Sequence, residues 1–412
     1  MPPKLKETTR MKNSDRLVLV VFADRSLGGV SRSSYEAGRI WKTLGFRVQF
    51  LPFLPIHPDR TSRFESVGDV LDEIHAVDWE AVSLVHFHHG SLSPSTRERL
   101  QSLFQAVGDT TSTPLLTNNV FAVRDKVLAP WNGPIATAVL GRWAAYQYRF
   151  SSLSSLKNPT PWIIPNVQDP EFFRPPSKAE RERARADLGW SEEHVALRIG
   201  SPLMDKWSSS YRRLVTQAAE QGAKVAVVGA PAALVERLNP PSTVIVIPLT
   251  ASDERLRSLY WAADSFALDS SRGESFGNVA FEALLCGLPV VYRARPFRDN
   301  TPWELIGAAG FSYARSESEW VQRSLSRSSP DDWGSRNRAD LAESYGPRAV
   351  ANLYQAVADA LFASSGGRIA ANPVPRGDRL PVTERLKVVI AHNPMVSSIK
   401  EWRLARAKHR PA

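Results

Sequence analysis

Cysteine is almost absent: Cys286 is the only one in 412 residues, so no disulfide can form within the chain, and a reducing compartment is the expected setting. No apolar run of about 18 residues occurs, and residues 1–16 hold no apolar segment ahead of Leu17. Both absences predict a soluble, unsecreted, cytoplasmic protein without a spanning helix. The dinucleotide fingerprint GxGxxG is missing too. His86, His88 and His89 cluster at one place, but no acid or further histidine follows at ligand spacing, so a polar strand end is the plainer reading and no metal site is expected. The body of the chain lacks net charge. Ten Lys or Arg against three acids in residues 366–412, and five against two in residues 1–16, account for the whole formal charge of +10. A polyanion, whether nucleic acid or an anionic membrane that would make the protein peripheral, should therefore be met by the tails.

What is present is a repeated strand and helix alternation. Residues 17–23 (LVLVVFA) form an apolar run of the kind buried in a parallel sheet. They lead through Gly28-Gly29 into a helix from about residue 31 to 44, then a strand at 47–50. Strands are expected at 81–88 and 114–120, the latter ending on Asn118 and Asn119. A proline-rich stretch, residues 158–176, reads as the connection between two units. Beyond it the pattern gives a helix at 178–188, strand 195–199, helix 210–221, strands 224–228 and 244–247, helix 253–262 and strand 265–268. Such an order specifies an α/β, doubly wound sheet.

The most informative stretch is residues 270–291, SSRGESFGNVAFEALLCGLPVV: a loop, a helix expected to begin near Ser275, and a strand. The helix mouth spanning Gly273, Glu274, Ser275, Phe276, Gly277 and Asn278 offers unpaired amides and the positive end of the macrodipole, a seat for phosphate. Glu274 and Glu282 would repel phosphate there. They are better placed to accept hydrogen bonds from sugar hydroxyls.

This stretch resembles the signature of family-four glycosyltransferases, in which a Glu, seven residues and a second Glu precede a glycine and Pro-Val-Val. The resemblance extends over about residues 17–362, through the Gly-Gly-Val-Ser-Arg loop, the Ile-Ile-Pro-Asn turn at 163–166 and the segment after strand 195–199. It implies two doubly wound Rossmann-like domains facing one another across a cleft: a basic arm (1–16), an acceptor-side domain (17–165), a nucleotide-sugar domain that includes a final crossing helix (166–364), and a basic linker and tail (365–412). It also implies transfer of a hexose or pentose from a nucleotide-diphosphate sugar, with retention, without metal or other cofactor. The catalytic pair would be Glu274, beside the donor sugar, and Lys206, on the leaving diphosphate. The donor would meet Gly28, Gly29, Ser201, Ser275, Phe276, Gly277 and Asn278, with Glu282 on its ribose. Two positions depart from the pattern. Ser201 stands where an Arg is expected, with Arg198 nearby on the strand and its direction open; Asn118 and Asn119 stand where many relatives place a sugar-contacting histidine. The acceptor is unspecified: surface glycan, lipid and metabolite are all admissible. A phage-type enzyme that glycosylates hydroxymethylated DNA bases, and a non-catalytic sugar-nucleotide binder, are the alternatives.

Overall fold

A computed structural model describes residues 12–22, 29–89, 94–108, 112–120, 122, 131–150, 160–295, 300–326, 335–364 and 366–371. Gly28 and most of the basic tail lie outside the described residues.

Two parallel sheets organise the chain. The first holds β1 (Leu17–Phe22), β2 (Arg47–Pro52), β3 (Asp69–Val70), β4 (Val82–His89), β5 (Leu115–Asn119) and β6 (Ile135–Val139) in the order β6-β5-β4-β1-β2-β3. The short β7 (Trp162–Ile163) and the late strand Arg368–Ile369 both pair with β6. The second holds β8 (Val195–Ile199), β9 (Lys224–Val228), β10 (Val244–Ile247), β11 (Ser265–Leu268), β12 (Val290–Arg293) and β13 (Phe311–Ala314) in the order β10-β9-β8-β11-β12-β13. Every residue of β1 is buried, because helices cover both faces. Val18, Val20 and Phe22 pack with Trp41 and Phe50 on one side, and Leu17, Leu19 and Val21 pack with Phe87 and Phe104 on the other. An apolar run without alternation is the sequence expression of that two-sided burial.

The crossing helix, Pro347–Phe362, returns to the first sheet and buries Val350, Tyr354, Val357 and Leu361 in its core. At about 1.5–3 kcal/mol for each large apolar side chain, this ties the chain's late segment firmly to its beginning. A second tie crosses the cleft: Glu304 Oε1 accepts the Arg142 amide N–H at 2.6 Å, capping the helix Arg142–Phe150 from the opposite domain. Gly141 is needed there, since a Cβ would lie 2.5 Å from that carboxylate oxygen.

The motif helix begins at Asn278 and runs to Leu285, three residues later than the sequence suggests. The cause is Gly277, held at φ 86° as the N-cap. That left-handed turn ends the preceding loop and cannot be part of the helix. Glu282 is therefore one turn inside the helix rather than two. No helix among the described residues is long and apolar enough to cross a membrane.

Candidate active site

The candidate residues of the second domain gather at the carboxyl ends of β8 and β11, where a doubly wound fold leaves room for ligands. Arg198 is the next-to-last residue of an otherwise apolar strand, VALRI, and is 1 % exposed. Its Nη2 donates to the carbonyl of Lys206 at 2.9 Å and to Glu274 Oε1 at 3.2 Å. Lys206, on the turn Met204–Lys206, places Nζ 2.7 Å from Glu274 Oε2. One carboxylate thus holds two cations. Burial pushes Glu274 upward, but Lys206 and then Arg198 outweigh it and hold the group below the usual carboxylate range.

The two loops that supply these groups are joined along their length. Arg272 donates its amide to the Asp205 carbonyl at 2.9 Å, Ser271 Oγ donates to the Trp207 carbonyl at 2.7 Å, and Trp207 Nε1 donates to the Ser201 carbonyl at 2.9 Å. Ser201 contributes its backbone to this lattice. The cation that reaches the motif carboxylate is Arg198, so the direction left open by the sequence is resolved toward the site. Its Nε and Nη1 are buried with no partner among the described residues, donors that a bound anion would satisfy. An arginine inside a buried apolar strand was the signal that marks it, because such a residue is almost never fully buried without a partner.

At the helix mouth, Gly277 brings no capping side chain, and a Cβ there would stand 2.4 Å from Thr301 Oγ1. Thr301 Oγ1 donates to the Phe276 carbonyl at 2.6 Å. Phe276 itself is core, stacked on Phe281 with ring centroids 4.4 Å apart, so it offers a ligand only its backbone. Asn278 Oδ1 accepts from Asn166 Nδ2 at 3.0 Å and Gln168 Nε2 at 3.4 Å, fastening the interdomain turn to the motif helix. Gly29 opens the first helix, Gly29–Thr43, and a Cβ on it would meet nothing within 4 Å among the described residues.

Glu282 lies in different surroundings. It is 1 % exposed, accepts from Arg32 Nη1 at 2.5 Å across the cleft, and accepts from the Tyr260 hydroxyl at 2.9 Å. Arg32 also lies 3.8 Å from Asp253, which Arg63 grips at 2.6 Å. Burial pushes Glu282 above the usual range, with Arg32 opposing. Sequence reading named Glu282 but not these partners: Arg32 lies 250 residues before it, and Arg63 lies 190 residues before the Asp253 that it holds.

The first domain buries Asn118 and Asn119 at the end of β5. Asn118 Nδ2 lies 3.5 Å from His88 Nδ1, and Ser33 Oγ lies 3.5 Å from the same nitrogen. His86 Nδ1 accepts from Trp41 Nε1 at 2.9 Å. Burial, with His88 adding to it, holds the His86 imidazole well below its ordinary range, so it is neutral. Among the described residues no group of three or more His, Cys, Asp and Glu is arranged to hold a metal.

Residues 207–316 match the model of a family described as glycosyl transferases group 1. A glycosyltransferase from Rickettsia africae superposes with a TM-score of 0.65 at 12 % identity, covering 85 % of this chain and all of that one. Anabaena HepE in complex with UDP superposes at 0.64 with 15 % identity, over 84 % of this chain and all of that one. The fold is that of the two-domain glycosyltransferases. WaaG, a glycosyltransferase involved in lipopolysaccharide biosynthesis, superposes at 0.51 with 16 % identity over 84 % of this chain and all of that one. No curated protein matches the sequence. The family match begins at Trp207 and spans both motif carboxylates.

Proposed function

We propose that this chain is a retaining glycosyltransferase that moves a sugar from a nucleotide-diphosphate sugar to an acceptor hydroxyl without a metal or other cofactor. The observation that carries the reading is the Lys206–Glu274–Arg198 group at the carboxyl ends of the second sheet, beside a helix mouth that has no side-chain cap. A uridine diphosphate sugar is the donor to try first, since HepE has been seen with UDP and with UDP-glucose.

In this reading Lys206 exchanges part of its hold on Glu274 for the diphosphate. The freed carboxylate oxygen then accepts hydrogen bonds from the sugar hydroxyls, while Arg198 keeps Glu274 charged and in place. Gly28, Gly29, Ser201 and the backbone from Ser275 to Asn278 complete the phosphate seat, and Glu282 takes the ribose. Asn118 and Asn119 line the sugar or acceptor side. The bond between the anomeric carbon and the diphosphate oxygen breaks as charge grows on that oxygen, and fixed cations and amides stabilise it. The acceptor oxygen bonds to the same face of the anomeric carbon and its proton passes to the departing phosphate. Lys206 supplies the positive charge that a divalent ion would otherwise supply.

Thermal shift with a panel of nucleotide sugars, followed by slow hydrolysis of whichever stabilises the fold, tests this directly. Turnover that survives EDTA and releases the retained anomer supports it. Binding with no turnover would favour a non-catalytic binder, and activity restored only by magnesium or manganese would point to a different mechanism.

A further inference from the structure

Arg32, the arginine of the Gly-Gly-Val-Ser-Arg loop, has partners that nothing in the sequence pattern indicates. It stands on the first helix, in the first domain, yet its guanidinium meets the motif helix of the second domain at Glu282 and the start of the helix Asp253–Ala262 at Asp253. Glu282 has no solvent of its own to stabilise its charge. Around it are Arg32 from the first helix, Tyr260 and Asp253 from the helix Asp253–Ala262, and Cys286 beyond its own helix's last turn. Arg32 is the only cation among these, and Arg63 acts on Asp253 behind it.

We propose that Arg32 is a positioning residue for the nucleotide site: reaching across the cleft, it holds Glu282 charged and aimed, so that the seat in the second domain is complete only when the two domains are closed. The inference rests on Glu282 serving the ribose, as proposed above. Its physical basis is that a carboxylate excluded from water keeps its proton unless a cation compensates, and a protonated Glu282 has lost acceptor capacity for a diol. The compensating cation here belongs to the opposite domain. Opening the cleft would withdraw it, neutralise Glu282 and loosen the nucleotide in one motion; closing would do the reverse.

The test uses the full-length protein and three variants, each with a Glu282→Gln counterpart for the spectra. UDP binding is titrated calorimetrically from about pH 6 to about pH 9 in wild type, Arg32→Gln, Arg32→Lys and Arg63→Gln. Wild type, Arg32→Lys and Arg63→Gln should bind with little pH dependence. Arg32→Gln should bind at least about tenfold more weakly at the acid end and recover as pH rises and Glu282 ionises. Loss of affinity in Arg32→Gln that is equal at all pH, or no loss, overturns the proposal. Infrared difference spectra between each protein and its Glu282→Gln counterpart read the charge of that carboxyl with no nucleotide present. Glu282 ionised in wild type and protonated in Arg32→Gln at neutral pH is the expected result. The same charge state in both overturns the proposal even if UDP is not the nucleotide. Failure of wild type to bind any nucleotide or nucleotide sugar overturns the functional reading separately, while the spectra still decide on Arg32. If Arg32→Gln does not fold, Arg32→Lys carries the test, since a protonated Glu282 beside a lysine would also overturn it.

Discussion

Glu274 and Glu282 belong to one motif, are both nearly buried, and are held in opposite ways. Glu274 answers to two cations of its own domain, one beneath it on β8 and one beside it on a turn. Glu282 answers to a tyrosine of its own domain and a single arginine of the other. The first is held below the usual carboxylate range and the second above it. Burial is similar, so burial does not explain the difference; the count and origin of the cations does. A charge compensated within one domain is permanent, whereas a charge compensated across a cleft depends on the cleft.

Substitution at Glu274 should break this comparison most severely. Glu274→Gln leaves Lys206 and Arg198 without their common counterion, and donor turnover should fall on the order of a hundredfold, equivalent to about 2.7 kcal/mol of transition-state stabilisation. Steady-state hydrolysis of the donor, with circular dichroism to verify the fold, measures it. Lys206→Ala should come next, with turnover down by at least about tenfold, or about 1.4 kcal/mol, because Arg198 still steadies Glu274. Near-normal rates in both variants would remove the site from this end of the sheet.

The same pair predicts opposite stability responses to pH. Glu274, lowered in the folded state, contributes stability that is present above the unfolded pKa and lost as pH falls through the folded one. Glu282, raised in the folded state, binds more protons folded than unfolded between its two pKa values, so its contribution declines as pH rises through that window. Removing a partner of a buried ion pair destabilises by about 3 kcal/mol or more. Denaturant titrations should therefore show the penalty of Glu274→Gln shrinking toward acid pH and that of Glu282→Gln growing. Parallel responses would mean that the two carboxylates are not differently compensated.

Two glycines sharpen the contrast between a fixed and an open part of the site. Gly277→Ala places a Cβ 2.4 Å from Thr301 Oγ1 at φ 86° and should destabilise by about 1–3 kcal/mol. Gly29→Ala meets nothing within 4 Å among the described residues and should leave stability within about 0.5 kcal/mol. If the alanine at position 29 weakens nucleotide binding while stability holds, the ligand lies against the start of the first helix.

Much of this arrangement was legible in the sequence, because β1, β8 and the other central strands are buried on both faces and announce themselves as apolar runs. The helix Lys178–Leu188 was equally plain, with Ser177 and Glu180 forming a capping box at its start and Gly189 ending it. The helices Pro94–Gly108 and Arg142–Phe150 were not. The first has weak apolar periodicity, and the second is capped by Glu304, a residue 162 positions later that no local pattern can reveal. In the candidate site, the two acids stood out by their spacing and Lys206 by the family resemblance, but what surrounds them was not readable. Arg32 and Glu282 are 250 residues apart, and the turn chemistry of Gly277, which shifts the helix start, depends on Thr301 packing against it.

Ser201→Arg is expected to have the smallest effect and asks whether the cationic side of the site is already complete. A guanidinium there would be a second bidentate phosphate donor if the place were vacant. Arg198 already reaches Glu274 from beneath, and the Ser201 carbonyl is held by Trp207, which also lies against the Arg198 guanidinium at 5.4 Å from its ring centroid. A third cation over the same carboxylate would crowd Lys206 and repel Arg198. UDP affinity should accordingly stay within about threefold of wild type or fall. Calorimetric titration showing instead a gain of about tenfold or more would mean that Arg198 serves Glu274 alone, leaving the diphosphate to Lys206 and the backbone amides.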